Sequence, residues 1–146
     1  MPSLNDSTKW LAGDVDSANL GGCLHLIQFW AVSCPMCKRN FPKLQSLVDE
    51  YAMHGLQLIS IHMPRSESDV DVEKVKVAVQ ELGLLGPCAI DNDHAIGDLF
   101  QTGGVWPYYF LFDAEGKLRS RAAGSLGLKM AENSLKRLLQ LQETAP

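Results

Sequence analysis

The sequence lacks a basic surplus. Thirteen lysines and arginines stand against 17 acidic residues, a formal net charge of −4. That balance argues against general nucleic-acid binding, which needs a positive face, and against adhesion to an anionic membrane. No apolar run approaches the roughly 18 residues of a membrane-spanning helix. The first residues, MPSLNDSTKWLAGDVDSANLGG, have neither the basic start nor the apolar stretch of a secretory signal. No lipidation motif is visible. A cytoplasmic protein without membrane or nucleic-acid partners is expected. There is no internal repeat, low-complexity tract, GxGxxG, Walker loop or GxSxG, so nucleotide-binding and serine-hydrolase readings have no foundation. Four cysteines are too few for a disulfide-framework domain. In a reducing compartment, close cysteine pairs are more often catalytic or metal-binding than structural.

What is present suits one globular domain. The 146 residues are 46% hydrophobic and 21% charged, enough for a core and too apolar for disorder. The domain is expected to span 1–146, with 1–22 an N-terminal extension that packs on the core and forms a short hairpin near Trp10. LHLIQFWA (24–31) reads as a strand buried on both faces. A helix should begin at Cys34, with Leu44, Leu47, Val48 and Tyr51 on its apolar face and Pro42 kinking it. LQLISIH (56–62) is a second strand, PRSESD a polar loop, and 70–82 a helix with Val72, Val75, Val79 and Leu82 in a stripe. CAIDN is a short strand leading to the helix AIGDLF, capped by Asn92 or Asp93. YYFLF and KLRSRAA form a hairpin around DAEG. A last helix at about 128–142 buries Ala131, Leu135, Leu138 and Leu139. Strands alternating with helices, then a hairpin and a helix, indicate an α/β layered domain with a mixed sheet.

The chemistry concentrates in FWAVSCPMCKRNFP (29–42). Cys34 stands where a strand ends and a helix begins, and Pro35 takes the first helical position, where its missing N–H costs nothing. As N-cap, Cys34 can accept hydrogen bonds from first-turn N–H groups, including that of Cys37. The helix dipole favours negative charge at the same place. Both effects stabilise the thiolate, and Lys38 and Arg39 add positive charge nearby. A thiolate attacks a disulfide to give a mixed disulfide, and a second thiol one turn away can release the partner. Cys37 is placed for that release and should be the more buried of the two. The competing readings are inert core cysteines and a metal site. Zinc usually needs four ligands, but Cys23 and Cys88 lie far from the pair in sequence. No histidine lies near the motif in sequence, and His25, His54 and His94 offer no convergent set. No metal and no cofactor are expected.

WAVSCPMC resembles the active-site segment of the thioredoxin-like superfamily, and Pro42 matches the kink proline of its active-site helix. Trp106–Pro107 before an apolar strand is similar to the cis-proline loop of that fold. The α/β insertion around 66–93 looks like that of the TlpA/ResA-like branch. HMPRSE, DNDHAIGDLF and WPYYFLFD together resemble the YkuV-type thiol–disulfide oxidoreductases of Bacillus and its relatives. The resemblance covers about residues 8–142. It implies a thioredoxin fold, a central mixed sheet flanked by helices, with strand 24–30 between strands 56–62 and 108–113. It implies Cys34 as attacking thiol, Cys37 as resolving thiol, and Pro107 as the cis-proline facing them. Trp30 would pack beside the motif, and Trp106 would either meet a substrate strand through its backbone or remain a buried neighbour. Pro35 and Met36 replace the intervening pairs common in related proteins, so the redox potential is not inherited. Gln28 stands where many thioredoxins carry a buried Asp, and a carboxamide cannot act as a base.

The implied function is dithiol–disulfide exchange with protein substrates, in the reducing direction. The implied partners are protein disulfides and an upstream reductant, a thioredoxin reductase or another dithiol protein. A monomer is expected. The alternative is a non-catalytic thioredoxin-fold binding module that uses the CxxC for metal or as a redox-switched interface. A peroxidase of the same superfold would want a PxxxT/SxxC-like context, absent here. Cys23 and Cys88 are expected as buried free thiols, His62 as a structural hydrogen-bonding residue, and the acidic loop 66–73 as a solvated face. DNDHAIG lacks the glycine and glutamate of a calcium loop and is read as a helix cap.

Overall fold

The computed structural model describes residues 1–5, 9–11, 22–84 and 86–144, the side chains of 141–144 excepted. A six-stranded sheet runs in the order β1-β4-β3-β2-β5-β6. Its strands are β1 (Lys9–Trp10), β2 (His25–Trp30), β3 (Gln57–His62), β4 (Cys88–Ile90), β5 (Tyr108–Phe112) and β6 (Leu118–Ala123). The helices are α1 (Pro35–Tyr51), α2 (Val72–Leu82), α3 (Ala95–Leu99) and α4 (Gly124–Thr144). β2 lies between β3, parallel to it, and β5, antiparallel to it, as expected. All of its residues are buried, because helical or loop layers cover both faces of the sheet.

Alternation along the strands divides the core in two. Leu26, Trp30, Leu58, Ile90, Tyr109 and Leu111 face α1, α2 and α4, and meet Leu44, Leu47, Val75, Ala131 and Leu135. Ile27, Phe29, Ile59, Ile61 and Phe110 face the other way, onto Leu4, Ile96 and Phe100. Phe29, Phe100 and Phe110 pack edge to face with centroids 5.1 to 5.7 Å apart, the arrangement their ring quadrupoles favour.

Some boundaries differ from the sequence reading. Lys9–Trp10 forms no hairpin of its own within the described residues; it adds antiparallel to β4 at the sheet edge. The remainder of the proposed hairpin, residues 12–21, lies outside the described residues. α2 starts at Val72, after Asp71 caps it through the Glu73 N–H. α4 starts at Gly124, about a turn earlier than its apolar stripe signals, because Gly124 adopts φ 71° and turns the chain straight out of β6. Neither Asn92 nor Asp93 caps α3. His94 holds the cap position at φ 61° without a side-chain cap bond. The Asp91 carboxylate instead accepts from Ile96 N and Gly97 N, both at 2.9 Å. The Asn92 amide is turned away from the helix, donating to Val70 O at 3.2 Å. α1 runs through Pro42 without interruption.

Candidate active site

β2 delivers the chain to the N-terminus of α1, where Cys34 is the N-cap in extended conformation and Pro35 opens the helix. The Cys34 Sγ accepts from the Cys37 backbone N–H at 3.2 Å. The two cysteines form a disulfide, with Cα atoms 5.3 Å apart. Cys34 is 2% exposed and Cys37 3%, so the burial difference expected between them is absent. One covalent bond ties both sulfurs to the same place in this state. Pro35 and Met36, between them, are exposed, and Met36 Sδ reaches towards Gly124 at the start of α4.

Three neighbouring segments hold this turn. Trp30 is fully buried and meets His62 edge-on at 4.9 Å. His62 Nε2 accepts from Val32 N at 3.1 Å, so the ring is neutral with its proton on Nδ1. Burial drives the His62 pKa down to about 4, against a smaller upward pull from Asp69. Asp69, in the turn before α2, accepts from Ser33 N (3.1 Å), Ser33 Oγ (2.7 Å), Arg65 N (2.9 Å) and Ser66 N (3.2 Å). Burial pushes its pKa up, but those hydrogen bonds and His62 outweigh it, and the net shift is downward. The acidic loop is therefore not a plain solvated face. Asp69 is 2% exposed and grips the residue before Cys34. The S-x-x-D spacing of Ser66 and Asp69, a capping-box pattern, was the available signal.

The Trp106–Pro107 peptide is cis. The buried Pro107 gives its carbonyl to Gly124 N at 2.9 Å. The half-buried Trp106 donates its indole N–H to Met63 O at 2.7 Å and meets the His94 ring at 5.9 Å. His94 Nε2 in turn pairs with Pro64 O at 2.7 Å. Met63 N bonds Trp30 O at 2.9 Å. The segment after β3 thus connects the cysteine turn to the cis-proline loop.

Beneath α1, Cys88, Ser60, Gln28 and Tyr109 are in register across four adjacent strands. Gln28 Nε2 donates to Ser60 Oγ at 2.8 Å. Asn40 Nδ2 donates to Tyr109 Oη at 3.3 Å, and Ser125 Oγ donates to Asn40 Oδ1 at 3.2 Å. The sequence reading did not single out Asn40, Tyr109 or Ser125. A polar residue on the buried face of α1 is the trace they leave there. Cys88 is buried and its thiol is pushed up to about 12 by burial, Trp30 acting weakly the other way. Cys23 is half-exposed rather than buried, because β2 begins two residues after it, and both cysteines are free. Among the described residues, no three His, Cys, Asp or Glu side chains gather where they could hold a metal. No described helix is long and apolar enough to cross a membrane.

Comparison with known proteins agrees with this geometry. The AhpC/TSA family model matches residues 3–121. Thiol-disulfide oxidoreductase YkuV of Bacillus subtilis (strain 168) is 39% identical over 95% of this chain and 93% of its own. Thiol-disulfide oxidoreductase ResA of Oceanobacillus iheyensis is 27% identical over 83% of this chain, which spans 60% of that protein. The solution structure of a thioredoxin-like protein in the oxidised form superposes with a TM-score of 0.83, at 38% identity, over 96% of this chain and 94% of the other.

Proposed function

The chain belongs to the AhpC/TSA family as a thioredoxin-like thiol–disulfide oxidoreductase, and we propose that it works as a reductant of disulfides in other proteins. The reduced Cys34 thiolate attacks a substrate disulfide. A Cys34–substrate bond forms, and the substrate's second sulfur leaves with the electron pair. Cys37 then loses its proton to solvent and attacks Cys34 Sγ. The Cys34–Cys37 bond closes, and the first substrate sulfur departs as thiolate. The substrate gains two electrons and the protein loses two.

The observation that carries this reading is Cys34 at the N-cap of α1, taking the Cys37 N–H at 3.2 Å. The same donors and the helix dipole stabilise the thiolate once the disulfide opens. In this reading Trp30 and Pro35 frame the attacking sulfur, while Met36 and Trp106 offer the surface against which a substrate segment lies, and the buried Pro107 shapes the loop that carries Trp106. The cytoplasm is the proposed compartment, supported by the thiol chemistry, because a reducing compartment keeps such a dithiol in its attacking form. The electron donor is a thioredoxin reductase or another dithiol protein, and the working form is a monomer whose reactive face stays free for substrate.

The test is insulin-disulfide reduction combined with a glutathione titration of the pair. Cys34→Ser should abolish turnover, and Cys37→Ser should accumulate mixed disulfides visible by mass. A potential close to that of thioredoxin, about −270 mV, fits a reductant. A value near about −120 mV would make the protein an oxidant and overturn both the direction and the compartment.

A further inference from the structure

The resolving step needs a Cys37 thiolate, and the buried polar groups of the strands and turns near α1 offer no free base. Gln28 is neutral and tied to Ser60. On β3, His62 is buried and its Nε2 is engaged by Val32 N. On β4, Cys88 is a buried thiol held protonated. Asp69, before α2, receives Ser33, Arg65 and Ser66. On α1 itself, Cys34 is the reaction partner, and Lys38 and Arg39 are exposed to solvent. β5 contributes Tyr109, and α4 reaches this region through Ser125.

The donors of that last group run in one direction. Ser125 Oγ donates to Asn40 Oδ1, and Asn40 Nδ2 donates to Tyr109 Oη. Since Oη already accepts from Asn40, its own hydrogen points elsewhere, and among the described residues no acceptor takes it. Asn40 lies one helical turn after Cys37 on the same buried face of α1. Tyr109 shares the core cluster of Cys37. Hydrogen bonds in series polarise one another, so the terminal hydroxyl is a strengthened donor. Burial holds the phenol protonated, with its pKa pushed up to about 12. It therefore serves as a donor and never as a base at working pH.

We propose that Tyr109 donates its hydroxyl hydrogen bond to the Cys37 sulfur when the disulfide opens, with Asn40 and Ser125 as positioning residues that aim it. The proposal rests on Cys37 being the resolving thiol. Its proton goes to solvent; Tyr109 keeps its own and stabilises the charge left on sulfur. This arrangement does not replace the base that Gln28 cannot be; it lowers the cost of the charge on Cys37 instead.

The test uses reduced full-length protein in a Cys23→Ser background, mixed with dithiobis-nitrobenzoate in a stopped-flow instrument. Cys34 releases the first thionitrobenzoate, and Cys37, closing the disulfide, releases the second. Tyr109→Phe keeps the ring and deletes the donor. Its second phase should slow about tenfold at pH 7, with the pH midpoint raised by about one unit, while the first phase is unchanged. Ser125→Ala, at an exposed position, frees the Asn40 amide to turn and should shift the second phase the same way. A merely structural role would not move the midpoint of the second phase alone. Unchanged second-phase rates and midpoints in both variants would overturn the proposal. A parent protein with no second phase at all would instead overturn the assignment of Cys37 as resolving thiol.

Discussion

His62 should make the protein acid-sensitive well above the carboxylate range. The ring is fully buried, bonds Val32 N through Nε2, and packs on Trp30. Its pKa falls from an ordinary 6.5 to about 4 through burial. Between those values the unfolded chain takes up a proton that the folded protein refuses. Stability from this group is therefore complete above pH 6.5 and declines as pH falls towards 4. One pH unit of mismatch is worth about 1.4 kcal/mol, so acidification from pH 7 to 5 should remove about 2 kcal/mol, saturating near about 3 kcal/mol below pH 4. His25 is also lowered by burial and adds a slope of the same sign, so the measurement is differential. Urea unfolding, followed by tryptophan fluorescence, would be run on the oxidised parent and on His62→Gln at pH 7 and pH 5. Gln can present an acceptor near Val32 N but does not titrate. The parent should lose about 2 kcal/mol more than the variant over that interval. An unchanged gap between the two proteins would refute the argument that His62 stays neutral in the folded state.

Other outcomes follow from single contacts. Asp69→Ala leaves Ser33, Arg65 and Ser66 without their shared acceptor, and should cost about 2–4 kcal/mol in chemical unfolding. It should also slow Cys34 alkylation kinetics by loosening the turn. Gly127 packs against β6 and Tyr109; a Cβ there would stand 2.8 Å from the Tyr109 ring and closer still to the Ala122 carbonyl. Gly127→Ala should therefore lower stability by about 1–3 kcal/mol through overpacking, read as a fall in the urea midpoint. The Cys34→Ser and Cys37→Ser pair should split as described, loss of turnover against trapped substrate. Tyr109→Phe should change only the second release phase.

The pattern of apolar runs sufficed to locate the strands and the buried stripes of α1 and α4, because alternation and helical spacing are local signals; the strand order around β2 was implied only by the resemblance to the thioredoxin fold. CPMC, with a proline at the first helical position, likewise determined the capping of Cys34, since that geometry depends on adjacent residues alone. Three things were decided only in three dimensions. Asp69 reads as one acid in a polar loop, and it became the clamp on Ser33 only when the insertion folded over the end of β2. The burial that neutralises His62 comes from layers on both sides of β3. Asn40, Tyr109 and Ser125 lie on α1, β5 and α4, and no spacing within one element reports that they meet. Local patterns are written in neighbouring residues, whereas burial and hydrogen-bond partnership depend on which distant segments the packing brings together.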